Sequence, residues 1–400
     1  MNREVQNIIC AVIAAVVAIG LFCGAFYRYS PDYWEKTHIT AAVVCNGDKS
    51  APYTANFVQG AEQMWSSGSA AGTTMTCYNI PLDRAEAFLT NLAEDGTNLI
   101  ITNSYEYGEI AKRVAERYPD IQFCCATCDN ADPSVPNYHT FMGEISQGLY
   151  VSGVVAGTKL SEMIEQGIIT PEQAVVGYVA AYPQAETISG YTAFLLGVRS
   201  QCETAVMRVK YVHTWSNYAL EKKTAEELIA EGCVVISHDT DTAGSAIACE
   251  NAEMPYPVYH VGYNQDMVSV APTAALIGTR VDWSLYMAAA AEAVWQGEPI
   301  ESHVKGKVFV NDASGGLAEG WVRMFDLNSV AASPGMEELI ADTVTGLKQG
   351  RIQIFQGDYT GVDPENPSDT CDLNKAYVEH AQRSAPSFHY VLRDVITVEE

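Results

Sequence analysis

Basic residues are scarce: 23 lysines and arginines face 49 acidic residues, for a formal net charge of −26. A surface that negative repels phosphate backbones and anionic headgroups, which argues against nucleic acid as a partner. Cysteine is sparse as well, 11 in 400 residues, too few for a disulfide scaffold. Paired CxxC spacings of the metal-finger kind are absent. GxSxG, HExxH and GxxxxGK[ST] are also missing, which removes the nucleophile elbow, the zincin helix and the phosphate loop. No long Pro/Gly/Ser stretch divides the chain. What is present is 48% hydrophobic and 18% charged residues, a globular composition that excludes disordered, collagen-like and coiled-coil chains. Four hundred residues exceed one ordinary domain, so two lobes are expected.

Long uncharged runs are confined to the start. Ile8 to Tyr27 carries no charge over twenty residues, and at about 1.5 Å per residue a helix of that length spans roughly the 30 Å of a bilayer core. Tyr27-Arg28-Tyr29 lacks the small residues of a signal-peptidase site, and Cys23 follows Phe22 rather than the small residue of a lipoprotein site. A retained single-pass anchor is therefore expected over residues 1–38 with its linker, Ser30 to His38. The acidic body, with its scattered cysteines, is expected outside the cell membrane.

Beyond the linker, strand-length apolar runs alternate with helical segments. Ile39–Cys45, Thr74–Ile80, Leu99–Thr102 and Ile121–Cys125 read as strands, with helices over Phe57–Trp65, Asp83–Glu94 and Glu106–Arg117. The pattern restarts with strands at Val175–Ala181, Val206–Val212, Val234–Ser237 and Tyr259–Gly262 and a helix over Ala219–Glu231. Such alternation predicts parallel sheets with helices on both faces. The expected class is α/β, with two doubly wound Rossmann-like lobes joined by hinge crossovers. Residues 39–160 plus about 265–300 are assigned to the first lobe, and about 170–264 plus about 301–356 to the second. From 357 to 400 the chain turns polar and reads as a surface tail with an edge strand near His389–Leu392.

Polar and aromatic residues gather at the strand ends, where open α/β sheets bind ligands. Asp48 and Tyr53 follow the first strand, and Asn103, Ser104 and Tyr105 the third. Glu186 follows Val175–Ala181, Trp215 follows Val206–Val212, and Asp241 follows Val234–Ser237. Asp266 and Trp283 come later. Carboxylates, hydroxyls and flat rings suit a small planar heterocycle, with or without a sugar. Asp48, Asp241 and Asp266 also fit as helix N-caps, and Trp215 and Trp283 as packing residues. His238-Asp239-Thr240-Asp241 reads as a cap plus a ligand acceptor rather than a metal site. Cys124-Cys125-x-x-Cys128 lacks the partner pair of a thiolate site. Cys45 and Cys77, at the ends of strands expected to be neighbours, could pair. Neither metal, cofactor nor catalytic residue is expected.

Several stretches carry a family resemblance: Gly47-Asp48-Lys49-Ser50, Asp95 to Gly108, Tyr118 to Phe123, Gly148 to Gly153, Gly177-Tyr178-Val179, Pro183 with Glu186, and Ser189-Gly190-Tyr191. Trp215, His238 to Thr242, Asp266-Met267 and Trp283 continue it. In that order, from about residue 39 to 357, the chain resembles the basic membrane protein family of ABC-transporter substrate-binding proteins. The resemblance implies a type I periplasmic-binding-protein fold, a purine nucleoside or nucleobase as ligand, an ABC permease as partner and a monomer. The adenine-binding branch carries an aromatic after the glycine of the first loop, where this chain has Ala51-Pro52. Stacking would then fall to Tyr53, Tyr105 or Trp215. An anchored sensor that signals through a partner protein is the alternative expectation.

Overall fold

The computed structural model describes residues 3–28, 38–66 and 68–399, with side chains of the first helix described over 12–24. The expected linker lies outside these residues except for its last position. The first helix runs Arg3–Arg28, and its described apolar side chains, Val16, Leu21 and Phe22 among them, are more than half exposed. Among the described residues no helix is long and apolar enough to cross a membrane, so the span expected over Ile8–Tyr27 finds no support in the structure.

Five strands open the first lobe: β1 (Ile39–Val44), β2 (Gly72–Cys77), β3 (Leu99–Thr102), β4 (Gln122–Ala126) and β5 (Tyr138–Gly143). They pair in parallel in the order β2-β1-β3-β4-β5. Ala41 to Val44 have no exposed surface, the signature of a strand covered by helices on both faces. The second lobe repeats the scheme with β6 (Val175–Ala180), β7 (Val206–Tyr211), β8 (Val235–His238), β9 (Tyr259–Tyr263) and β10 (Ala275–Val281). Their order is β10-β9-β8-β6-β7, again parallel.

The later crossings redraw the expected division of the chain. Strand β10, expected in the first lobe with 265–300, belongs to the second sheet. Two strands expected in the second lobe, β11 (Lys307–Val308) and β12 (Asp312–Gly315), extend the first sheet beside β5. Then β13 (Val322–Met324) returns to pair antiparallel with β10. The helix Ser146–Glu165, placed mostly in the first lobe by sequence, lies against the helix Ala185–Gln201 of the second. Their backbones touch through glycine: a Cβ on Gly153 would sit 2.1 Å from the Phe194 carbonyl oxygen. Strand–helix alternation identifies the units but does not say which sheet a strand joins.

The segment after residue 357 is no surface tail. Strands β14 (Thr360–Val362), β15 (Thr370–Asp372) and β16 (Val391–Leu392) form a small antiparallel sheet, and β17 (Ile396–Glu399) pairs in parallel with β7. Leu373, Phe388 and Leu392 are fully buried, and Phe388 stacks on Phe355 at 4.4 Å between ring centres. Leu373 and Phe388 are isolated apolar residues in a polar stretch and leave no periodic run for a sequence reading to detect, whereas the edge strand expected near His389–Leu392 is present as β16. The described cysteines are all free thiols, Cys45 and Cys77 included.

Candidate functional site

The carboxyl ends of both sheets face one cleft, which holds about 500 Å³ of space outside the atoms, its mouth included. From the first lobe, Asn46 follows β1 and Asn103 to Tyr105 follow β3. Asn103 is fully buried, and its Oδ1 accepts a hydrogen bond from the Asn46 N–H at 3.1 Å. The Tyr53 hydroxyl, on the helix Pro52–Gln63, donates to the Asn103 carbonyl at 2.5 Å. Asn103 Nδ2 keeps no partner in the protein, a buried donor left for something else. Ser104 opens the turn Tyr105–Tyr107 by accepting from the Glu106 N–H at 3.4 Å. Tyr105 stands half exposed at the rim, its hydroxyl pKa pushed up chiefly by the charge of Asp129.

The second lobe supplies the acids. Asp239, just beyond β8, accepts from the Ala181 N–H at 2.8 Å and from the Thr187 hydroxyl at 2.6 Å. It thereby ties the ends of β6 and β8 to the first turn of the helix Ala185–Gln201. Glu186 lies in that first turn. Burial, with a smaller push from Asp239, raises its pKa to about 8. Burial raises Asp239 to about 6. Asp241 is held well above the usual carboxylate range, by burial first and by Glu221 next. The Glu186 and Asp241 carboxylates make no hydrogen bond to any described residue. Half-buried acids of this kind can donate when protonated and accept when ionised, which suits a guest with mixed donors and acceptors.

Tyr53, Tyr105, Trp215 and Tyr263 supply the flat walls. Thr127 and Asn264 line the same cleft with positive φ angles of 60° and 61°. Left-handed backbone at non-glycine residues costs on the order of 1 kcal/mol or more and tends to cluster at ligand sites.

Of the residues expected from sequence, Tyr53, Asn103, Ser104, Tyr105, Glu186, Trp215 and Asp241 converge here. Three do not. Asp48 is exposed and turns back to the Ser50 N–H at 2.8 Å and Ser50 Oγ at 2.6 Å, bonds that hold its pKa below the usual range. Asp266 accepts from the Val268 N–H at 3.0 Å and faces a neighbouring groove. Trp283 is buried in the first lobe, edge-on to Tyr53 at 6.0 Å, and supports that ring from behind. Both aspartates act within turns, as Asx residues commonly do.

Asn46, Thr127, Asp239, Tyr263 and Asn264 complete the lining without having been singled out. Asp239 and Asn46 lie inside the polar runs at strand ends. Nothing in the sequence marks Thr127, which follows β4 with left-handed backbone.

Residues 52–344 match the model of the Bmp family, described as ABC transporter substrate-binding protein PnrA-like. The chain belongs to that family. It is a family of solute-binding proteins and not of enzymes. A purine-binding protein of Brucella abortus (strain 2308) is 26% identical over 274 residues, 68% of this chain and 70% of its own length. A protein of Haloferax volcanii, provisionally named an ABC transporter glucose-binding protein, is 25% identical over 303 residues, 76% of this chain and 70% of its own. Among solved structures, an ABC transporter solute-binding protein from Aeropyrum pernix K1 superposes with a TM-score of 0.62 at 16% identity. That match covers 82% of this chain and 95% of the other, and it establishes the periplasmic-binding-protein-like fold.

Proposed function

We propose that this protein takes up a purine nucleobase or nucleoside between its lobes and presents it to an ABC permease. The observation that carries the reading is the convergence of unpaired carboxylates at Glu186 and Asp241 with the rings of Tyr53, Tyr105, Trp215 and Tyr263. A purine offers ring faces to stack and an edge of N–H donors and ring-nitrogen acceptors. An aromatic–base stack contributes about 1–3 kcal/mol, and a hydrogen bond to a charged group about 1.5–3 kcal/mol. Contacts from both lobes favour the closed state, so ligand binding and lobe closure are linked. The purine-binding name of the Brucella relative supports the same ligand class.

We place the ligand-binding body outside the cell membrane, held by the first helix. The support for this placement is the uncharged run Ile8–Tyr27 of the sequence. Resistance to carbonate extraction of membranes checks the anchoring.

Calorimetry of the full chain against adenine, adenosine, guanosine, inosine and glucose tests the ligand. Sub-micromolar binding of a purine is expected. Binding of glucose alone, or of nothing in the panel, removes the purine assignment and leaves the fold untouched.

A further inference from the structure

A second concavity of about 880 Å³, mouth included, adjoins the cleft, and Asn264 lines both. Its chemistry is the opposite of the acidic end. The guanidinium of Arg280, on β10, reaches across to the first lobe. Its Nη1 donates to Asn56 Oδ1 at 3.0 Å and to Gln59 Oε1 at 3.1 Å, both neutral amides. No carboxylate among the described residues lies within ion-pair distance of it, in a chain whose net charge is −26. Asn264 is 5% exposed, and its Nδ2 finds no partner in the protein.

The helix Pro52–Gln63 begins at the same groove, with no side-chain cap and no acidic residue in its first turn. Pro52 brings no N–H and the Ala55 N–H is taken by the Ala51 carbonyl at 2.9 Å, so the helix contributes the positive end of its dipole, which favours an anion. Lys49 stands at the edge, with its ammonium on Glu62 at 2.9 Å. The one acid lining the groove, Asp266, is engaged by the Val268 N–H.

We infer that this groove is an anion subsite that receives a phosphate monoester on the ligand, with Arg280 and Asn264 Nδ2 as its donors and the positive end of the helix Pro52–Gln63 beside them. The inference rests on the reading of the adjoining cleft as the ligand site, but not on a purine as its occupant. A guest lying across both concavities would keep its neutral, hydrogen-bonding end at Glu186 and Asp241 and its charged end at Arg280. Bidentate capture of phosphate is the task for which a guanidinium is shaped.

The test is calorimetry of the full chain at low salt with two pairs, adenosine and its 5′-monophosphate, ribose and ribose 5-phosphate, and with inorganic phosphate alone. At least a tenfold gain from the phosphate is expected in one pair, lost in Arg280→Gln and reduced in the exposed-site variant Lys49→Gln. Equal affinities within each pair, or silence of all three phosphates, overturn the inference. Tight binding of ribose 5-phosphate with no response to either adenosine ligand removes the purine reading and leaves the anion subsite standing.

Discussion

The carboxylate of Asp239 receives the Thr187 hydroxyl at 2.6 Å and the Ala181 N–H at 2.8 Å, so one buried acid fixes the geometry of the acidic end of the cleft. Asp239→Ala leaves both donors buried and unsatisfied, at roughly 1–3 kcal/mol for each group. The variant should lose about 2–6 kcal/mol in denaturant unfolding. Asp239→Asn keeps an acceptor for the Ala181 N–H and should lose about 1 kcal/mol. Equal losses in the two variants would show that the bonds do not carry the effect.

Glu186 sets a pH dependence of known sign. Its folded pKa, about 8, lies above the ordinary value of 4.5, so the folded protein keeps a proton that the unfolded chain releases. Stability from this group is therefore greatest at low pH and is lost as pH rises from about 4.5 through 8. The unliganded protein should melt at a lower temperature at pH 8 than at pH 5.5, and Glu186→Gln should flatten that slope. Identical slopes in the two proteins would count against burial as the cause.

Trp215 is a wall of the cleft and no part of the described hydrophobic core. Trp215→Ala should weaken purine binding by about 1–3 kcal/mol and change melting of the unliganded protein little. A large loss of stability with unchanged affinity would make it a packing residue.

At Gly153 the expected outcome reverses the usual helix preference. Alanine in place of glycine stabilises a helix interior by about 1 kcal/mol. Here the new methyl group would lie 2.1 Å from a backbone carbonyl oxygen. Gly153→Ala should instead destabilise by about 1–3 kcal/mol through overpacking, read by chemical denaturation.

Phe388 tests the integration of the C-terminal segment. It is fully buried and stacked on Phe355. Phe388→Ala should cost about 3–5 kcal/mol, whereas a loosely attached tail would tolerate it at no measurable cost.

Much of this architecture is legible in the sequence because buried parallel strands are short continuous apolar runs. Ile39–Val44, Leu99–Thr102 and Val175–Ala180 announce themselves in this way. Strand β5 (YHTFMG) does not, because polar side chains such as His139 and Thr140 are buried there through partners far along the chain. His139 Nδ1 lies 2.6 Å from Glu301 Oε1, and the Thr140 hydroxyl donates to Asp312 at 2.7 Å. Strand-end residues were a sound guide to the cleft where a strand points straight into it, as for Asn103 and Asp241. They misled at Asp48 and Asp266, where the aspartate serves its own turn. Trp283 shows a further limit, since residue type cannot tell a ring that touches a guest from the ring supporting it.

Strands β11, β12, β13 and β17 have a consequence for biogenesis. A ribosome that has reached residue 300 has finished neither sheet: the first awaits 307–315, and the second awaits 322–324 and 396–399. Until then β5, β10 and β7 lack their last native partners, so neither sheet is completed before these late segments have been made.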